Sequence, residues 1–261
     1  IIEPCQQINQ QRISAELRHQ TADDNLETFF PKGSLEQISP GVDGGQDGQM
    51  GHEPMPAFSD PSQQNQTGQT PLRIGVMASG NGSNFEALVQ AIDAGTLAAE
   101  IRILVVNNPG CGAQLRAQRL GVPCTVLDHR VLKERDQLDQ ALVNCFRSAE
   151  VEVVVMAGWM RIVTPVLING YADRLVNIHP SLLPSFKGLD GIGQALAAGV
   201  KITGCSVHLV TAELDGGPIL AQSAVPVDEG DDHATLSEKV HREEHRLLPE
   251  AINARIPIWR Q

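Results

Sequence analysis

Asn177 and His179, two residues apart in Leu-Val-Asn-Ile-His-Pro, pair an amide donor with an imidazole. In an extended strand such positions project to one face, and Pro180 stops the strand just beyond them. The pair suits acyl-type transfer. The amide stabilises the oxyanion of a tetrahedral intermediate, and the imidazole moves the proton of an incoming or leaving amine near neutral pH. A third group, Asp215, sits in the turn Glu213-Leu214-Asp215-Gly216-Gly217-Pro218, and a carboxylate beside the ring would favour its charged form. Each residue also has a plain structural use: a strand-end Asn-x-His can bond neighbouring backbone, and Asp-Gly is a common turn pair. His208, in Ser206-Val207-His208-Leu209, reads as a satisfied interior histidine or a supporting one rather than as the catalyst.

A second stretch offers an anion site. Leu72 to Ile92 reads as an apolar strand, a Gly80-Asn81-Gly82-Ser83-Asn84 turn, and a helix with Phe85, Leu88, Val89 and Ile92 on one face. The glycines permit a sharp turn, and the amides of Ser83 and Asn84 open a helix whose N-terminus attracts phosphate. The competing reading is a capping box between Ser83 and Glu86 that would use the same donors. A dinucleotide site fits poorly, because Phe85 stands where GxGxxG needs its third glycine and the next strand ends in Asn107-Asn108 rather than a carboxylate. A phosphomonoester suits the turn better. Metal chemistry is not expected, since the sequence reads as free of HxxxH and HExxH and the acids from Asp228 to Asp232 read as a solvated loop. No GxSxG elbow points to a serine nucleophile.

These groups need elements to position them. Residues 1–70 are rich in Gln, Gly, Asp, Ser and Pro and read as a disordered tail, with a short helix conceivable near 6–20. They hold ten Asp or Glu against three Lys or Arg, net −7, so residues 71–261 carry only −4 of the total −11. With no Lys or Arg cluster, extended nucleic acid is a poor partner. No apolar run reaches the roughly 18 residues of a membrane span. The five cysteines lack CxxC spacing, which favours free thiols in a reducing, cytoplasmic setting. The chain does not begin with Met, so the natural N-terminus is not assigned.

From Leu72 strands and helices alternate. Strands are expected at 101–106, 124–127, 151–157 and 174–179, and helices at 111–120, 133–148 and near 164–170. This pattern predicts an α/β fold, a doubly wound, mostly parallel sheet. Two later runs, 205–211 and 219–227, are close enough to form an antiparallel hairpin at one end. A closing helix is expected over about 234–253.

Together these residues carry a family resemblance. From Leu72 to about Ile252 the chain resembles the phosphoribosylglycinamide formyltransferases of purine biosynthesis in GNGSN (80–84), AGWMRIVTP (157–165), NIHPSLLPSFKG (177–188) and SVHLVTAELDGGPILAQ (206–222). The resemblance implies a formyltransferase-like Rossmann variant over 71–261, and transfer of a formyl group from 10-formyltetrahydrofolate, as co-substrate, to a glycinamide amine, without metal. It implies that Asn177, His179 and Asp215 are catalytic, with Asn177 and protonated His179 on the oxyanion. Gly82, Ser83 and Asn84 would hold the substrate phosphate, and Glu244 would contact the same substrate. Met160, Arg161, Ile162 and Val163, with Asn177, would border the folate, and Arg135 would meet its acidic tail. Read without the resemblance, WMRIV equally describes a core-filling loop. Asp190 where many relatives carry His, His241 in place of Lys or Gln, and Glu86 beside the phosphate loop depart from the pattern and bear on affinity. The rivals are formyltetrahydrofolate deformylase, which carries a further domain before the catalytic one; methionyl-tRNA formyltransferase, which carries one after it; and a non-catalytic phosphosugar-binding protein. The oligomeric state is not assigned.

Overall fold

A computed structural model describes residues 70–261. The disordered tail expected before Thr70, its short helix and Cys5 lie outside the described residues. Seven strands form one sheet in the order β3-β2-β1-β4-β5-β6-β7. They are β1 (Leu72–Ala78), β2 (Ala99–Val106), β3 (Cys124–Val126), β4 (Val153–Met156), β5 (Leu175–His179), β6 (Ile202–Leu209) and β7 (Ile219–Pro226). β1 to β5 run parallel, whereas β6 pairs antiparallel with both β5 and β7, as the hairpin expectation has it. The helices are α1 (Ser83–Asp93), α2 (Gly112–Arg119), α3 (Arg135–Ser148), α4 (Pro165–Gly170), α5 (Gly191–Ala197) and α6 (His233–Trp259).

The twofold period of the strands divides the core into two layers. Ile74, Val76 and Ala78 of β1, with Val153 and Val155 of β4, pack against Phe85 and Leu88 of α1, Ala113 and Ala117 of α2, and Leu236, Val240 and Leu248 of α6. On the opposite face Met77, Val154 and Met156 meet Leu138, Leu142, Val143 and Phe146 of α3 and Leu167 of α4. A β-branched run such as Val153-Val154-Val155 is what a strand covered on both faces requires. Gly75 is small for a reason: a Cβ there would lie 2.6 Å from the Phe146 ring.

Beyond shifts of a few residues at strand ends, three features differ from expectation. α5 was not anticipated, because its seven residues include two glycines and only Ile192 and Ala195 among its apolar side chains are fully packed. Asp190 starts it in a left-handed conformation and accepts from Gly193 N at 2.9 Å. α6 runs 27 residues, past Pro249 and Pro257, to Trp259 rather than ending near 253. Tertiary contacts override the prolines: Ile256 and Trp259 are buried, and the Trp259 indole donates to Asp173 O at 2.8 Å. The acids before α6 are not merely solvated. Asp232 and Thr235 form a capping box, while Asp228 and Asp231 both pair with Lys239.

The strand order reverses between β1 and β4, since β1 leads to β2 and β3 on one side and β4 to β5 on the other. Ligand crevices of parallel sheets open at such a switch, beyond the carboxyl ends of the strands. The GNGSN turn leaves β1 there, residues 157–164 leave β4 there, and Asn177 and His179 end β5 two strand spacings away, about 10 Å.

Candidate functional site

Asn177 and His179 lie on the same face of β5 as Leu175, toward the α3 layer, and the antiparallel register sets Asn177 directly opposite His208 on β6. His208 is 2% exposed, and burial pushes its imidazole below the usual range, so it is neutral at neutral pH. Its Nδ1–H donates to Leu209 O at 2.9 Å, which leaves Nε2 to accept from Asn177 Nδ2 at 3.1 Å. That bond fixes the orientation of the Asn177 amide and leaves its second N–H for another acceptor. His208 is thus a support for Asn177, one of the two readings its sequence position allows.

His179 is buried, with both ring nitrogens addressed. Nε2 donates to Phe186 O at 2.9 Å, and Nδ1 lies 3.6 Å from Asp215 Oδ2. The second separation is too long for a hydrogen bond but short enough for a charge pair with an imidazolium. Asp215 reaches this place from the β6–β7 turn, where it takes a positive φ of 47°. Its Oδ2 accepts from Gly188 N at 2.8 Å, and Oδ1 stands 3.8 Å from His208 Nε2. The 186–188 segment and the 213–215 turn therefore hold one another around His179, with Lys187 Nζ and Glu213 Oε1 adding a pair at 2.7 Å.

At the other end of the crevice α1 begins without a side-chain cap. Gly82 is its N-cap at φ 80°, and a Cβ on Gly82 would lie 2.6 Å from Ala113. The competing Ser83–Glu86 capping box is not formed. Glu86 turns instead to Arg116 and Arg119, so its charge is balanced by two guanidinium groups. Arg116 also grips the turn itself, donating to Asn81 O at 2.9 Å and to Asn81 Oδ1 at 2.6 Å. Asn84 is buried and donates through Nδ2 to Glu244 Oε2 at 2.9 Å, a partner 160 residues away on α6. Glu244 is 3% exposed, and burial raises its carboxyl to about 7 against the opposing Asn84 bond. Asn84 Oδ1 is buried with no protein partner.

The segment after β4 is neither wholly core nor wholly exposed. Trp159 is buried, whereas Met160 is 70% and Ile162 60% exposed, with Arg161 and Val163 half-buried. A core-filling reading of the whole segment is therefore wrong: its period-2 exposure presents two apolar side chains outward. Leu189 and Leu214, next in sequence to the bonded Gly188 and Asp215, are also exposed. Arg135 stands exposed at the first position of α3, one helical turn before the buried Asp139. His241 and His245, one turn apart on α6, form an HxxxH spacing, so the expectation that the sequence holds none was wrong. Among the described residues no three His, Cys, Asp or Glu side chains converge as a metal site would need. Cys205 is fully buried and its thiol is pushed up to about 12, which makes it packing.

Sequence reasoning missed Ser79, Asp139 and Arg116. Asp139 left a signal: it falls inside the apolar stripe of Leu138, Leu142, Val143 and Phe146, where a carboxylate needs a partner.

The formyl transferase family model matches residues 72–252. Over 180 residues the chain is 38% identical to phosphoribosylglycinamide formyltransferase of Bacillus subtilis, covering 69% of this chain and 92% of that one. It is 41% identical over 181 residues to the trifunctional purine biosynthetic protein adenosine-3 of Gallus gallus, covering 69% of this chain but only 18% of that longer one. Among solved structures, glycinamide ribonucleotide transformylase 1 of Symbiobacterium toebii superposes with a TM-score of 0.70 at 39% identity, covering 74% and 91% of the two chains.

Proposed function

The chain belongs to the formyl transferase family, and from that premise we propose that it moves a formyl group from 10-formyltetrahydrofolate to the amine of 5'-phosphoribosylglycinamide, the work of residues 71–261 in purine biosynthesis. The observation that carries this reading is the convergence of Asn177, His179 and Asp215 at the end of the sheet, beyond the carboxyl ends of its parallel strands, where the uncapped start of α1 also opens.

The substrate phosphate docks on the amides of Gly82, Ser83 and Asn84, where the helix dipole favours an anion. Glu244, expected to contact the same substrate, is buried behind Asn84 and bears on it through that amide. The formyl folate lies along residues 160–163: exposed Met160 and Ile162 offer a flat apolar rest for the pterin, and Arg135 offers a cation to its acidic tail. The amine attacks the formyl carbon directly. The free N–H of Asn177 Nδ2 stabilises the oxyanion, a contribution of about 2.7 to 4 kcal/mol for one such donor. With Phe186 O holding Nε2–H, protonated His179 joins Asn177 in stabilising the oxyanion, and Asp215, 3.6 Å from Nδ1, supports the imidazolium and helps carry away the proton of the attacking amine. The proton then passes to the departing folate nitrogen as its bond to the formyl carbon breaks. No protein nucleophile and no metal takes part.

Small molecules are thus the partners, with neither nucleic acid nor membrane; among the described residues no helix is long and apolar enough to span a bilayer. A cytoplasmic setting agrees with the free thiols of Cys111, Cys124 and Cys205. The test is a spectrophotometric assay with both substrates beside a formate-release assay without the amine. Transfer that depends on the phosphorylated amine, and falls at least a hundredfold in Asn177→Ala and His179→Ala, supports the proposal. Formate release independent of the amine makes the protein a deformylase, and binding without turnover makes it a phosphosugar-binding protein.

A further inference from the structure

Two buried polar side chains that the mechanism does not use, Ser79 and Asp139, both end on the segment that follows β4. Ser79, 5% exposed at the end of β1, accepts from Met160 N through Oγ at 2.9 Å and donates its own N–H to Gly158 O at 3.0 Å. Its carbonyl is held in turn by Asn108 Nδ2 at 2.8 Å. Asp139, 2% exposed on α3, accepts from Thr164 N through Oδ2 at 2.5 Å. Thr164 is the N-cap of α4, its hydroxyl accepting from Val166 N.

The two bonds bracket residues 160–163 on either side. A loop crossing a sheet edge is ordinarily the most adaptable part of an α/β fold. Here its backbone is fixed from β1 at Met160 and from α3 at Thr164, while Met160 and Ile162 remain exposed between the two anchors. Isolated carboxylates are costly to bury, and burial raises the Asp139 carboxyl in spite of the Thr164 bonds that lower it. An exposed loop needs no such anchor for stability alone. It needs one if the direction of its outward side chains matters.

We propose that Ser79 and Asp139 are positioning residues for the formyl-donor half of the site, acting through the backbone of residues 160–163 to hold Met160 and Ile162 as a preformed platform. This rests on the formyl-folate reading of that segment. Preorganisation of this kind acts on binding by sparing the ligand the ordering of the loop. Ser79 also leads into the GNGSN turn, yet its hydroxyl serves the β4 loop alone, so its removal spares the phosphate side.

The test takes Ser79→Ala, Asp139→Ala and Asp139→Asn in the full chain, with steady-state kinetics against each substrate and amide hydrogen exchange in the ligand-free protein. The expected result is a rise of about tenfold in KM for 10-formyltetrahydrofolate in both alanine variants, with KM for the phosphorylated amine within about twofold. Met160 N–H exchanges faster in Ser79→Ala and Thr164 N–H faster in Asp139→Ala. Asp139→Asn, which keeps an acceptor oxygen, restores most of both effects. Equal rises in both KM values, or no change in donor KM despite faster exchange, overturn the proposal. Ser79→Ala removes a single oxygen, so it decides the matter even where Asp139→Ala does not fold. If the wild-type protein transfers no formyl group, the formyl-folate reading itself fails, while exchange at the two amides still reports whether the anchors hold the loop.

Discussion

Replacing Glu244 by Gln should make the protein more stable, and increasingly so as the pH rises. Glu244 is almost completely enclosed between α6 and α1, with Asn84 Nδ2 as its hydrogen-bond donor. Its carboxyl is raised from 4.5 to about 7 in the folded protein, chiefly by desolvation. The native state therefore binds this proton more tightly than the unfolded chain does, and stability falls with pH wherever that is so. Below about pH 4.5 both states are protonated and nothing is lost. Between about 4.5 and 7 the unfolded chain releases the proton first, and above about 7 the full penalty is present. At about 1.36 kcal/mol per unit, a shift of that size corresponds to about 3 kcal/mol. Protonation also gives the pair a donor that can serve the otherwise unpartnered Asn84 Oδ1, which the Gln amide can imitate permanently. Urea unfolding of wild type and Glu244→Gln across about pH 5 to 8.5 measures the effect. The other ionisable groups are common to both proteins, so the difference curve isolates Glu244. It should climb by about 2 to 3 kcal/mol toward the variant. A difference that stays flat within about 0.5 kcal/mol would falsify the claim that this carboxylate is desolvated.

Other perturbations follow from the same geometry. Gly82→Ala forces a Cβ into Ala113 at a positive φ and should cost at least about 2 kcal/mol in urea unfolding, with KM for the phosphorylated amine raised; an unchanged midpoint would show that the turn relaxes freely. Glu86→Gln leaves Arg116 and Arg119 uncompensated beside the turn and should lower that KM about two- to fivefold at low salt, an effect that fades at high salt. Calorimetry of Asp232→Ala should show a loss of about 1 kcal/mol, the worth of a helix N-cap, with catalysis untouched.

How much of this was legible beforehand depended on the range of the interaction. The Val153-Val154-Val155 run, the apolar stripe of α3 and the glycines before α1 are local signals, and each named its element to within a few residues. Helix ends were less legible. α6 continues through Pro249 and Pro257 because Trp259 and Ile256 have distant partners, and no local rule for proline can see them. The Ser83–Glu86 capping box failed for a related reason: a locally favourable pair lost to two arginines on α2.

Residue types and spacing by themselves determined the alternation that makes a parallel sheet, the shared face of Asn177 and His179, and the tight glycine turn at Gly80 to Asn84, since all three follow from backbone period and φ preference. Only the tertiary structure decided which groups complete them. It set His208 behind Asn177, gave each ring nitrogen of His179 its partner, joined Asn84 to Glu244 across the helix layer, and ran Ser79 and Asp139 to the two ends of one loop. Apart from Phe186, seven residues from His179, such partners lie 25 to 160 residues apart, and their meeting depends on strand order and helix packing, to which every element contributes at once.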